Sequence, residues 1–276
     1  MDLEPQEPSP PEPAPAPAAE PVVQEPPPET SPDQSWTYVD LAVAAVFAVA
    51  AHLLVLGFGL VAMLLIRQAR GASFSLTEAF TSASFVLPVQ FAWWVLVFWI
   101  VYRIVRVRDP RPFREAIAWV RPASPVAIYL VGGAVLALSV AALARLLPLP
   151  REKMPIEQLF RDPTSAFLLA GFGVLIAPVI EELVFRGFLY PVVERAHGAV
   201  AAVVSTAVLF SLVHAPQYGG AWQNLLLVGY VGVIFGAVRA VSGSLVPPTL
   251  VHAGYNFTLF TVAYLASNRF QNLERL

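Results

Sequence analysis

Long apolar runs separated by short polar stretches set the pattern of this chain from position 41 onward. Seven runs stand out, at 41–66, 85–102, 126–144, 166–190, 199–215, 225–241 and 249–266. Each has about the 17–25 residues a helix needs to cross bilayer hydrocarbon. Some are short, so the expected range is six to eight spans. Helix is the state to expect, because lipid leaves an open strand edge or loop unsatisfied. The pattern therefore predicts an all-α, polytopic transmembrane bundle. There is no repeat period and no inverted pair of halves.

Composition sharpens this picture. Of 276 residues, 57% are hydrophobic and 13% charged, whereas soluble domains average about one quarter charged. The net charge of −2 is uninformative, because the acidic excess is local. Residues 1–35 hold eight acidic side chains, no basic one and frequent proline. Such a segment cannot bury enough apolar surface to fold and reads as a disordered, polyproline-like spacer. It lacks the basic start and apolar core of a signal peptide. Three regions follow: a tail at 1–35, N-terminal transmembrane helices and loops at 36–165, and a candidate catalytic core at 166–276. The absence of cysteine removes disulfides, thiolate metal sites and a cysteine nucleophile. The expected partners are membrane lipid and a peptide or protein near it, not nucleic acid.

Arginines 103, 106, 108, 111, 114 and 121 follow the second run. The positive-inside rule would place that connection, and the tail with it, in the cytoplasm. The loop holding Arg145, Arg151, Lys153 and Arg161 is also basic and would then lie outside, so the rule leaves orientation open. Trp93, Trp94 and Trp99 read as interface anchors or lipid-facing bulk. His52 reads as a group hydrogen-bonded within the bundle.

Candidate chemistry enters with three clusters inside apolar runs. A charge at the bilayer centre costs roughly 2.5–3.5 kcal/mol on insertion scales, so intramembrane charges suggest function. "EELVFR" carries Glu181, Glu182 and Arg186. At about 100° per helical residue, Glu182 and Arg186 share a face and can pair. Glu181 points roughly 140° away from Arg186. It is left without a partner on its own helix, and an unpaired carboxyl in a dry setting has a raised pKa suited to moving protons. "FSLVH" sets Phe210 one turn before His214, and Pro216 should end that helix. "HAGYN" sets His252 and Asn256 on one face.

Other intramembrane hydrolytic chemistries find no residues here. No aspartate lies beyond Asp162, which removes a membrane aspartate pair. The zinc motif H-E-x-x-H is absent. "AVSG" at 240–243 approaches a Gly-x-Ser-Gly turn, but Ala240 replaces the first glycine.

The three clusters together resemble the CPBP family, the membrane group containing CAAX prenyl endopeptidases and bacteriocin-processing or immunity-associated proteins. Its pattern is E-E-x-x-x-R, then F-x-x-x-H, then H-x-x-x-N on successive helices, and this chain has all three in order. The resemblance covers roughly 166–266. It implies an intramembrane endopeptidase, glutamate-dependent or metal-assisted, acting on a peptide bond near the membrane. By carry-over, Glu181 matches the water-activating glutamate and His214 its partner. His252 and Asn256 match groups that hold the water or steady the oxyanion. Glu182 and Arg186 match the supporting pair, with Phe210 beside them. Glu181, His214 and His252 are also an acceptable ligand set for a divalent metal such as zinc, and the residues leave the metal question open.

Gly198 is 17 residues from Glu181 and 16 from His214. A hairpin there would put both at a similar depth, about 25 Å along their helices. His252 lies only four residues past Pro248, so a shared site requires residues 242–248 to dip into the bundle. Two other functions stay in view. A non-catalytic immunity or scaffold protein would keep the same polar core. A proton-coupled transporter would also use membrane Glu and His, but should show paired broken helices in two halves.

Overall fold

A computed structural model describes residues 35–148 and 154–273. The acidic tail up to residue 34, and Arg151 and Lys153 of the basic loop, lie outside the described residues. Among those described, every regular element is helical.

Helix α1 (Tyr38–Ala69) starts where Asp40 turns back to accept the Thr37 N–H at 2.9 Å, one of the donors a helix start leaves unpaired. It exposes Phe47, Leu54 and Phe58 and is apolar nearly all round, as a membrane span is. A short turn, α2 (Leu76–Phe80), is capped by Ser75. Helix α3 (Ala83–Arg108) closes on Arg106 and Arg108, the charge sign that suits a helix C-terminus. After the single turn α4 (Phe113–Ala116) comes α5 (Val126–Ala144).

The stretch Pro163–Val213 then runs for 51 residues. Asp162 accepts the Ser165 N–H at 3.0 Å and Pro163 takes the first helical position, two strong start signals. Helix α6 (Pro163–Gly171) passes through a π-helical segment, Phe172–Ile176, into α7 (Ala177–Glu182). A second π segment, Leu183–Leu189, leads into α8 (Tyr190–Val213). Inside α8, Gly198 has φ 82° and ψ 168°, so the chain bends sharply there. That positive φ is a conformation glycine adopts without steric cost. Helices α9 (Trp222–Ser242) and α10 (Val246–Ala266) complete the chain.

Among the described residues, five helical stretches are long and apolar enough to cross a membrane: Tyr38–Ala69, Ala83–Arg108, Val126–Ala144, Pro163–Val213 and Trp222–Ser242. The fourth contains the fourth apolar run and all but the last two residues of the fifth. Helix α10 holds the seventh run but is not among the five. It is more polar, carrying His252, Asn256 and the threonines 249, 258 and 261.

Two apolar clusters flank the α7 region. One gathers Trp36, Val101, Val105, Leu183, Phe188 and Leu245. The other gathers Leu136, Phe185, Phe210, Leu227, Phe235 and Val251. Residues 244–248 pack beneath the loop after α4, while Ser242 and Gly243 stay exposed. The Leu245 N–H donates to the Ala118 carbonyl at 2.8 Å, and Ser244 Oγ donates to the Val120 carbonyl at 2.8 Å. Leu245, Pro247 and Pro248 are fully buried, so α10 starts inside the protein.

Two aromatic expectations need correction. Trp94 is buried and stacks on Phe172 at 4.9 Å, and Trp93 donates inward to the Ala48 carbonyl at 2.8 Å. Of the three tryptophans only Trp99 is exposed. His52 was expected to hydrogen-bond, yet its buried Nδ1 has no partner among the described residues. It packs edge-on against Trp93 at 4.8 Å instead, so aromatic contact rather than polarity holds it.

Candidate active site

Three helical segments far apart in sequence bring the charged and imidazole groups together. Helix α7 supplies Glu181 and Glu182. His214 follows the last residue of α8, where Pro216 cannot continue the ladder. His252 lies near the start of α10.

Glu181 Oε2 stands 3.9 Å from His214 Nε2 and 3.8 Å from His252 Nε2. The fold at Gly198 and the buried start of α10 together produce this convergence. The far side of each imidazole is engaged. His214 Nδ1 lies 2.6 Å from the Phe210 carbonyl, which can only accept, so the network assigns its proton to Nδ1. His252 Nδ1 lies 3.0 Å from Glu182 Oε1, which sets the same tautomer. Both Nε2 atoms therefore turn a lone pair towards the Glu181 carboxylate. Side-chain exposure is 17% for Glu181, 14% for His214 and 5% for His252. The site is thus sheltered but reachable.

Below it lies a completely buried ion pair. Arg186 Nη1 donates to Glu182 Oε1 at 3.1 Å, and Nη2 donates to the Gly232 carbonyl at 2.7 Å. The guanidinium also sits over the rings of Phe210, Phe235 and Phe185 at 4.9, 5.4 and 5.7 Å. Buried charges persist only when paired. Here one carboxylate oxygen serves both the arginine and His252. Phe210 joins the two halves, with its ring 4.4 Å from His214 and 6.0 Å from His252.

Asn256 is placed differently. Its Nδ2 donates to the Gly173 carbonyl at 2.7 Å, one turn along α10 from His252. Among the described residues it has no hydrogen bond to Glu181 or to either imidazole.

Sequence reasoning missed several neighbours. Phe235 stacks on His252 with centroids 4.5 Å apart and an interplanar angle of 26°. Gly232 accepts from Arg186, and a Cβ there would meet the Ala207 Cα at 3.0 Å. The signal available was the spacing of Gly232 and Gly236 on α9, a small-residue pattern that lets membrane helices approach closely. Tyr218, in the turn Ala215–Tyr218, has its phenol pushed up by burial and then by the Glu181 carboxylate.

The metal option can be tested on spacing. Tetrahedral ligation with bonds of about 2.1 Å separates ligand atoms by roughly 3.4 Å. Both carboxylate–imidazole separations are longer, and among the described residues no group of three or more His, Asp or Glu forms a ready metal site. A water hydrogen-bonded at about 2.8 Å to two acceptors can span up to about 4.6 Å. The three side chains as placed suit a water, and both separations exceed that of direct tetrahedral ligation.

Fold and site together define a multi-pass, all-helical membrane protein whose polar core is a carboxylate facing two imidazoles. Residues 163–258 match the family model of type II CAAX prenyl endopeptidase Rce1-like proteins. At the level of class, the match supports a CAAX-type intramembrane endopeptidase. No curated protein and no solved structure matches the chain.

Proposed function

We propose that the protein hydrolyses a peptide bond of a membrane-associated protein or peptide, using a water activated by Glu181. One observation carries this reading: Oε2 of Glu181 faces the Nε2 atoms of both histidines at 3.8 and 3.9 Å, from three separate helical segments. A water between Glu181 and His214 donates one hydrogen to each. Glu181 takes the proton while the water oxygen bonds to the carbonyl carbon. His214, fixed by the Phe210 carbonyl, orients the water through its Nε2 lone pair. His252 is backed by the Glu182 carboxylate, which stabilises an imidazolium. His252 takes up one proton from solvent at Nε2 before the water attacks, donates this N–H to the oxyanion, and keeps the proton throughout the step. The C–N bond then breaks, and the proton held by Glu181 passes to the leaving amine. The arrangement repeats the logic of a base oriented by a second carboxylate.

The test is cleavage of a fluorogenic peptide panel by the purified protein in detergent. Glu181→Gln and His214→Ala should each lower the rate by about 10²–10⁴-fold, the range of general acid–base catalysis. Full cleavage by Glu181→Gln would end this reading. Because no step is routed through a metal, a chelator should leave the wild-type rate unchanged. A loss restored by added zinc would instead assign the three side chains to an ion.

A further inference from the structure

We infer that Trp36 is a positioning residue of the site: it ties the entry to α1 to the second π segment and, through Phe188 and Arg186, holds the Glu182 carboxylate against His252. This rests on the Glu181 reading above. Trp36 lies well before the matched stretch 163–258, so the role belongs to this chain's own N-terminal region.

Burial first marks the residue out. Helix α1 buries only Asp40 and Ala44 of its 32 residues, yet Trp36, two residues before its start, is 1% exposed. A helix that faces lipid almost throughout is kept in the bilayer by its apolar length and needs no indole sunk in the core. A buried indole usually finds a partner for its N–H. Here Nε1 donates at 2.7 Å to the carbonyl of Phe188, 152 residues away. The indole also stacks on the Phe188 ring, with centroids 5.8 Å apart and 16° between planes. From α8, Arg195 Nη2 donates to the Trp36 carbonyl at 2.6 Å, and its guanidinium lies over the indole at 5.6 Å.

The element it grips gives the contact its consequence. Phe188 lies in the π segment Leu183–Leu189, which begins directly after Glu182 and contains Arg186. Such segments depart from the ordinary helical ladder and are frequent at functional sites. From α9, Arg239 Nε donates to the Arg186 carbonyl at 3.2 Å. The segment is therefore held from outside by Arg239 at one carbonyl and by Trp36 at another. Within it, Arg186 forms a fully buried pair with Glu182, whose Oε1 also holds His252 Nδ1. A buried pair tolerates little displacement, because no water is at hand to replace a lost contact. Releasing Phe188 would let Arg186 shift and draw Glu182 off His252. Because His252 serves the oxyanion, which exists only once the water has attacked, the loss should fall on kcat rather than KM.

The experiment uses variants of the full chain in detergent, read by kcat, KM, melting temperature and amide hydrogen exchange of residues 183–189. Trp36→Phe keeps a ring to stack but removes the donor. It should fold, speed exchange in 183–189 and lower kcat by about 10-fold with KM little changed, short of the about 10²-fold of an ångström-scale misplacement. Arg195→Met, which takes the guanidinium from the Trp36 carbonyl, should act in the same direction. Trp99→Phe, at an exposed indole of α3, should change none of these. In a Glu182→Gln background, Trp36→Phe should cost little further kcat, because the carboxylate it acts through is already gone. A plain packing anchor would cost the same factor in both backgrounds. Equal factors in the two backgrounds overturn the proposal, as does wild-type kcat in Trp36→Phe. Should Glu181→Gln remain active, the parent reading fails, while hydrogen exchange in Trp36→Phe still decides whether the indole holds the π segment.

Discussion

At the scale of single residues, the decisive group is one oxygen of Glu182. Oε1 takes both Arg186 Nη1 and His252 Nδ1, and both partners are buried. Glu182→Ala should therefore leave a buried, unpaired guanidinium and destabilise by about 3–5 kcal/mol, read by thermal or denaturant unfolding in detergent. Glu182→Gln keeps the shape and should fold better, yet lose kcat because His252 lacks its anionic support. Asp109 gives a second residue-level prediction. Burial alone would raise its carboxyl, but the paired hydrogen bonds and charge of Arg111 outweigh it and hold the pKa below the usual 3.8. A lowered folded pKa contributes stability above the unfolded value, lost as pH falls through the folded one. The melting temperature should thus hold down to about pH 4 and fall more steeply below it in wild type than in Asp109→Asn. Glu181, Glu182, Arg186, His214 and His252 were legible in the sequence as candidates, because charge and imidazole are rare inside apolar runs, whereas Phe210 was legible only through the family pattern. Phe235 was not, since one phenylalanine among many gives no signal until it is stacked on His252.

At the scale of elements, the crossing of α5 and α10 places His252. A Cβ on Gly133 would meet the Val251 carbonyl oxygen at 2.2 Å, and one on Gly254 would meet the Leu130 carbonyl oxygen at 2.4 Å. These are backbone contacts, so no side chain can rotate away. Gly133→Ala should force the helices apart and draw His252 from Glu181, costing both melting temperature and cleavage. Gly57→Ala, where a Cβ meets nothing within 4 Å, should cost neither. An unaffected Gly133→Ala would show that this crossing does not hold the site. The helices themselves were readable from apolar run length. Their interruptions were not. Both π segments, and the use of Asn256 on Gly173, depend on which carbonyls a neighbouring helix can reach.

At the scale of the whole molecule, the outward face of α1 exposes Val46, Phe47, Leu54 and Phe58, and α8 exposes Val200, Val204 and Val208. A surface so apolar requires lipid or detergent around it. The protein should stay in the pellet after an alkaline carbonate wash and leave it only with detergent, and release by the wash would contradict a multi-pass protein. The sequence by itself determined the all-helical membrane class, because apolar length and the cost of unpaired backbone in lipid admit little else. It also singled out the side chains proposed for the chemistry, because charge is costly to keep inside an apolar run. Only the tertiary structure decided that Glu181 faces both imidazoles, that Glu182 serves His252 as well as Arg186, and that Asn256 is bound to Gly173. Each of these is set by the crossing and register of helices distant in sequence, and local periodicity carries no information about either.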